Sequence, residues 1–203
     1  MRARASVGRR AWWLGLWLAV VPLGSCTPKS GGDKLEPGST GPAAAQLQVT
    51  STAFGSGAEI PKSCTCEGGD QSPALAWSGL PATTKSIALV IDDPDAPDPK
   101  APKTTWVHWV LYDLPPSATG LEAAVKALPE GTREGLNDWK RTGYGGPCPP
   151  IGRHRYFHKV YALDVVLPDL GSPTKADLEK AMAGHIVGKG ELVGTYQKAP
   201  KGE

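Results

Sequence analysis

Ten consecutive residues, Gly143 to Gly152 (GYGGPCPPIG), contain four glycines and three prolines, and neither a helix nor a central strand can be built through them. Proline fixes φ and removes a backbone donor, while glycine opens conformations closed to other residues. The stretch is therefore a shaped loop, stiff at its prolines and closely approachable at its glycines. The next segment is of a different kind. Arg153 to Leu163 reads RHRYFHKVYAL, with His154, Tyr156 and His158 at even spacing. On a strand, alternate side chains share a face, so His154 and Tyr156 look the same way beside the loop. A stiff loop flanked by an imidazole and a phenol is a suitable wall for a small polar pocket.

The rest of the chain supplies strands to carry that wall. Gly and Pro total 45 of the 203 residues, a loop-rich composition that leans towards a β-dominated single domain. Gln46 to Phe54 alternates apolar and polar residues as a half-buried strand does, and a short strand is expected around Leu75 to Trp77. Ser86 to Ile91 (SIALVI) is almost wholly apolar and reads as a central strand covered on both faces. It runs into Asp92-Asp93-Pro94-Asp95-Ala96-Pro97, which is either a solvated Asp/Pro turn or a functional acidic cluster whose charges something must neutralise. Thr104 to Tyr112 (TTWVHWVLY) is the second strong strand. Strict alternation puts Trp106, His108, Val110 and Tyr112 on one face and Val107, Trp109 and Leu111 on the other. Gly120 to Asn137 reads as a short helix or turn followed by a loop. Ser172-Pro173 resembles an N-cap with proline at the first helical position, and Thr174 with Asp177 forms an alternative capping box. Leu178, Met182, His185 and Ile186 then fall on one helical face, with His185 at its edge, and Glu191 to Gln197 closes the sheet.

The first 45 residues have another character. Four arginines lie in the first ten positions, and Ala11 to Leu23 is an apolar run of thirteen residues. As a helix that run reaches only about 20 Å, short of a bilayer core of ~30 Å, so it reads as an export signal. Leu23-Gly24-Ser25-Cys26 resembles the lipobox of bacterial lipoproteins, in which the cysteine becomes the lipidated first residue. The expected organisation is a signal peptide over 1–25, a flexible tether over 26–45 and a folded domain over 46–203. The tether is poor in large apolar side chains and, as a coil, reaches roughly 25 Å from the lipid. Localisation follows as a membrane-anchored lipoprotein of the bacterial cell envelope. With the four early arginines set aside, 18 basic residues face 20 acidic ones, a net charge of −2. A mildly acidic body without a basic stripe argues against nucleic acid as a partner.

Taken in order, four segments carry a family resemblance: Asp93-Pro94-Asp95-Ala96-Pro97, Trp106-Val107-His108-Trp109-Val110, Gly143 to Pro150, and Gly152-Arg153-His154-Arg155-Tyr156. Ala181 to His185 and Glu191 to Tyr196 add to it. From about Val49 to Tyr196 the chain resembles the phosphatidylethanolamine-binding protein family, in its bacterial Raf-kinase-inhibitor-like branch. That resemblance implies a mainly β fold, an antiparallel Greek-key β-sandwich with small peripheral helices. It also implies an anion pocket formed by Asp93, Asp95, His108, Gly146, Pro147, His154 and Tyr156.

Histidine suits such a pocket because it titrates near neutrality and adjacent carboxylates favour its charged form. Asp93 and Asp95 are expected to hold and charge His108 or His154, with loop amides and the Tyr156 hydroxyl completing a cradle. The expected ligand is phosphate or a phosphorylated headgroup, bound without turnover and without a cofactor or metal. Three rival classes remain. A zinc site would use His108, His154 and a carboxylate, but no HExxH spacing is present. A hydrolase would use Cys148 or a serine with His154 and Asp93, but there is no GxSxG elbow. A protein-binding inhibitor, of a protease or another enzyme, is the third. If Cys26 is lipidated, Cys64, Cys66 and Cys148 remain. Cys66 with Cys148 is the favoured bridge because it pins the early turn to the pocket loop; three unbridged thiols are the alternative.

Overall fold

The computed structural model describes residues 43–199. The signal segment, the proposed lipidation site at Cys26 and all but the last residues of the expected tether lie outside the described residues.

Among the described residues nine strands and one α-helix follow in chain order: β1 (Ala45–Gln46), β2 (Gln48–Thr50), β3 (Leu75–Ser78), β4 (Ser86–Ala96), β5 (Thr104–Leu114), β6 (Gly120–Leu121), β7 (Arg133–Glu134), β8 (His154–Leu163), α1 (Lys175–Met182) and β9 (Ile186–Tyr196). A six-stranded sheet has the order β1-β9-β8-β4-β5-β7, and a three-stranded sheet the order β2-β3-β6. All pairings are antiparallel except β1 with β9, which is parallel.

The apolar run Ser86–Ile91 explains the middle of the larger sheet. Ile87, Leu89 and Ile91 pack in one core cluster with Val49, Leu75 and Trp77 of the smaller sheet. Ala88 and Val90 point the other way, into a second cluster closed by Leu178 and Met182 of α1. Alternate residues of Ile87–Ile91 thus fill two separate cores, and both faces of that stretch are apolar.

The structure departs from these expectations in detail. The strand expected over Gln46–Phe54 is two short strands: Ala45, the last residue assigned to the tether, is already paired in the larger sheet, and the chain crosses to the smaller one at buried Leu47. Gly120–Asn137 contributes β6 and β7 instead of a helix, and a single 3₁₀ turn (Lys62–Cys64) accompanies α1. Of the two candidate N-caps, Thr174 is the one used, with the reciprocal bonds to Asp177 of a capping box. Pro173 stays outside the helix because its carbonyl accepts a tertiary hydrogen bond from the Leu136 amide at 2.8 Å. The helix ends at Met182, and Gly184, at a φ of 84°, turns the chain away. Ile186 therefore opens β9, and exposed His185 pairs with Asp164 at 2.9 Å.

Candidate functional site

The acidic run is no turn. β4 continues through it, with shifts in its register against β5, and buries Asp92, Asp93 and Asp95. Each carboxylate has its own partner, which removes the repulsion that three adjacent acids create. Asp92, fully buried, takes the ammonium groups of Lys159 at 2.8 Å and Lys175 at 2.5 Å. Asp95 is gripped by Arg155, from Nη2 at 2.7 Å and Nε at 2.9 Å, and the Arg155 side chain holds its carboxyl below the usual range. Asp93 accepts from the Asp95 amide at 2.8 Å and from His154 Nδ1 at 2.7 Å. Asp95 is thus occupied by Arg155 and makes no hydrogen bond to either histidine, so it holds neither ring as expected.

β5 delivers His108 through a bulge. Ile91 pairs with Trp109 and Asp92 with Val107, so His108 is the extra residue. The strict alternation expected of this strand fails here: Val107 packs with Val110 and Tyr112, whereas Trp109 and Leu111 belong to the opposite core. His108 Nδ1 donates to the Gly145 carbonyl at 2.6 Å, leaving Nε2 without a partner among the described residues. Burial pushes this imidazole below its ordinary pKa, outweighing the Gly145 bond and the nearby acids. The expectation of a carboxylate-charged His108 is therefore overturned: desolvation wins.

β8 places His154, Tyr156 and His158 on one buried face. Both ring nitrogens of His154 meet acceptors, Asp93 at Nδ1 and the Ile151 carbonyl at 2.9 Å from Nε2. Tyr156 stacks beside His154, with centroids 6.4 Å apart, and meets His108 edge-on at 5.2 Å. Its hydroxyl is buried and has no partner among the described residues.

The Gly/Pro loop is tied from behind. Cys66 and Cys148 form a disulfide, the Cys66 amide donates to the Pro147 carbonyl at 3.1 Å, and the Tyr144 hydroxyl donates to the Cys64 carbonyl at 2.8 Å. The Gly146 amide donates to Asp70 Oδ1 at 2.7 Å and the Gly145 amide to the His108 carbonyl at 3.1 Å, so neither is free to cradle an anion. Gly146 is required by close approach: a Cβ there would run into the Cys64 carbonyl oxygen.

Between these elements lies a cavity of about 330 Å³. Asp93, His108 and His154 form its polar side; Ala96, Pro97, Trp106, Trp139, Pro149 and Pro150 form most of the remainder, with disulfide-bonded Cys148. Of the seven expected site residues, three line the cavity. Tyr156 buttresses the two histidines, Gly146 and Pro147 anchor the loop, and Asp95 is turned to Arg155. Trp106 and Pro97 were signalled by their place beside His108 and the acidic run; Trp139 sits in a loop with no pattern to mark it. Cys148, being bridged, presents no thiol for nucleophilic attack. Among the described residues no three His, Cys, Asp or Glu side chains converge as a metal-binding group.

A family model for phosphatidylethanolamine-binding proteins matches residues 50–197. The chain belongs to the phosphatidylethanolamine-binding protein family. A UPF0098 protein of Methanothermobacter thermautotrophicus is 44% identical over 155 residues, covering 75% of this chain and 99% of the relative. Among solved structures, a phosphatidylethanolamine-binding protein homologue from Chlamydia trachomatis aligns with a TM-score of 0.70 at 41% identity, over 77% of this chain and all of that one. E. coli YbcL, described as a member of the mammalian family, aligns at 0.69 and 33% identity, over 76% of this chain and all of that one. Family membership and a mainly β architecture thus rest on sequence and structure together.

Proposed function

We propose that this domain is a non-catalytic binding module whose 330 Å³ cavity takes a small phosphorylated, headgroup-like ligand. The observation that carries the reading is the state of His108. Its Nδ1–H is spent on Gly145, burial keeps the ring neutral, and Nε2 is left as a lone-pair acceptor on a ring that lines the cavity. A phosphate monoester in its monoanionic form presents a P–OH that this nitrogen accepts. His154, fixed by Asp93 and the Ile151 carbonyl, and Tyr156 behind both rings hold the geometry. The apolar walls match the carbon portion of such a ligand better than bare phosphate. Preformed walls also lower the ordering cost of binding.

Calorimetric titration of the domain with phosphoethanolamine and with inorganic phosphate, beside His108→Ala and His154→Ala, tests this. Binding that is lost in both variants, with the ester tighter than phosphate, supports the reading; no heat from folded wild-type protein rejects it.

The same proposal extends to the cell: Cys26 carries the lipid, and residues 26–44 hold the domain near an envelope membrane, facing the periplasm or the surface. Cys26→Ser should release the protein into the soluble fraction, and retention in membranes would contradict the anchor. The Greek-key sandwich connectivity implied by the resemblance belongs to this reading too.

A second reading has its own observation. Trp139 and Ile151, beside the cavity, are 41% and 55% exposed, an apolar rim suited to a protein surface. The fold alone is shared with a carboxypeptidase Y inhibitor solved with its cognate proteinase, at a TM-score of 0.50 and 19% identity. A His108→Ala variant that no longer binds phosphoethanolamine yet still inhibits a proteinase would favour an inhibitor over a ligand carrier.

A further inference from the structure

A second and larger cavity, about 540 Å³, lies on the other side of the pocket loop and plays no part in the site above. Its walls include Asp70, Trp109, Lys126, Leu128, Glu134 and Tyr144. Two rings stand in it edge to face, Trp109 and Tyr144, with centroids 5.8 Å apart. Both are fixed by their polar ends: Trp109 Nε1 donates to Glu134 Oε1 at 3.3 Å and Tyr144 donates to the Cys64 carbonyl.

Glu134 is the unexplained group. It is half-buried, and its neighbour Arg133 is directed to Asp113 and Asp169 instead. Among the described residues no cation lies within ion-pair distance of Glu134, and the Trp109 indole is its one side-chain partner. A carboxylate partly withdrawn from water and served by one neutral donor gains from a cation. Asp70, by contrast, is committed, with Oδ1 on the Gly146 amide and Oδ2 at 3.9 Å from Arg141. Lys126 is exposed and in no ion pair among the described residues, so its ammonium remains free to solvent.

We propose that this cavity binds a small organic cation, a primary amine carried on an aromatic or short apolar body. The ammonium sits on the free oxygen of Glu134, and the body lies against Trp109, Tyr144 and Leu128. Cation–π attraction to the rings adds to the charge contact. The proposal does not rest on the phosphate reading, because the two cavities have no lining residue in common, although both back onto β5 and the same loop.

The probe is benzylammonium, titrated into ¹⁵N-labelled domain while the Trp109 indole N–H resonance is followed. Benzyl alcohol serves as the neutral control. Saturable movement of that resonance is expected, with the alcohol bound at least about fivefold more weakly, the scale of a partly exposed charge contact. Glu134→Gln keeps an acceptor for Trp109 while removing the charge, and should weaken the amine by the same factor without affecting the alcohol. Equal affinity for amine and alcohol, or no saturable shift at Trp109 in the folded wild type, overturns the proposal. Because the comparison of the two probes needs only the wild type, a variant that fails to fold does not remove the test.

Discussion

Removing the Cys66–Cys148 bridge should cost a large share of the stability of a domain this size. The cysteines lie 82 residues apart, so the bond closes a long loop in the unfolded chain. Loop-closure entropy for that length amounts to about 4.5 kcal/mol at 25 °C. The native geometry does not depend on sulfur alone: the Cys66 amide to the Pro147 carbonyl, Gly146 to Asp70 and Tyr144 to Cys64 tie the same two segments. A Cys66→Ser/Cys148→Ser variant should therefore fold to the same structure and lose stability chiefly through its unfolded state. With a urea dependence of roughly 2 kcal/mol per molar, its unfolding midpoint should fall by about 2 M relative to the oxidised wild type. Cys64→Ser is the control. That thiol is buried, and burial pushes its pKa up, so it is a poor partner for exchange and its loss should not reproduce the effect. A midpoint shift below about 0.5 M for the double variant, or an equal shift for Cys64→Ser, would refute both the pairing and its entropic origin.

Three further outcomes are expected. His158 is buried, its Nε2 has no hydrogen-bond partner among the described residues, and burial lowers its pKa to about 4. The unfolded ring takes up a proton near ~6.5, so its contribution is intact above that pH and is lost as pH falls towards 4, at about 1.4 kcal/mol per unit. Urea unfolding between pH 7 and 5 should show a shallower slope for His158→Phe, and parallel slopes would contradict this. Gly146→Ala drives a methyl into the Cys64 carbonyl and should lower stability by about 1–3 kcal/mol in the same assay; an unchanged midpoint would deny the close approach. Affinity for phosphoethanolamine should decrease as pH is raised from 5.5 to 8.5, because the ester loses its P–OH near pH ~6 and His108, lowered by burial, gains charge only on the acid side. Calorimetry that returns one affinity across the range counts against His108 as the contact.

The parts of this molecule that are legible in its sequence are those set by local pattern. Ser86–Ile91 and Thr104–Tyr112 mark the two central strands by apolar content, and period two places His154 and Tyr156 on one face. What escapes depends on contacts made far along the chain. Three acids after an apolar run look like a solvated turn because the groups that meet them, His154, Arg155, Lys159 and Lys175, lie 60 to 83 residues away. The bulge at His108 is a property of its pairing with β4, and the residues around it give no local sign. Trp139 joins the cavity only because the loop that carries it folds back over β5, where the Asp138 amide donates to the Val107 carbonyl at 3.0 Å. Conversely, the pattern of the loop points the Gly146 amide at a ligand, but Asp70, unmarked in the sequence, takes it.

Ligand binding in the proposed site depends above all on one atom, Nε2 of His108. Four histidines give a simple nitrogen spectrum, so ¹⁵N-histidine NMR of the domain during titration with phosphoethanolamine reads it directly. The Nε2 resonance of His108 should move in step with saturation, while His158 and His185 stay fixed. Saturation that leaves His108 unmoved would place the ligand elsewhere and contradict the proposed site.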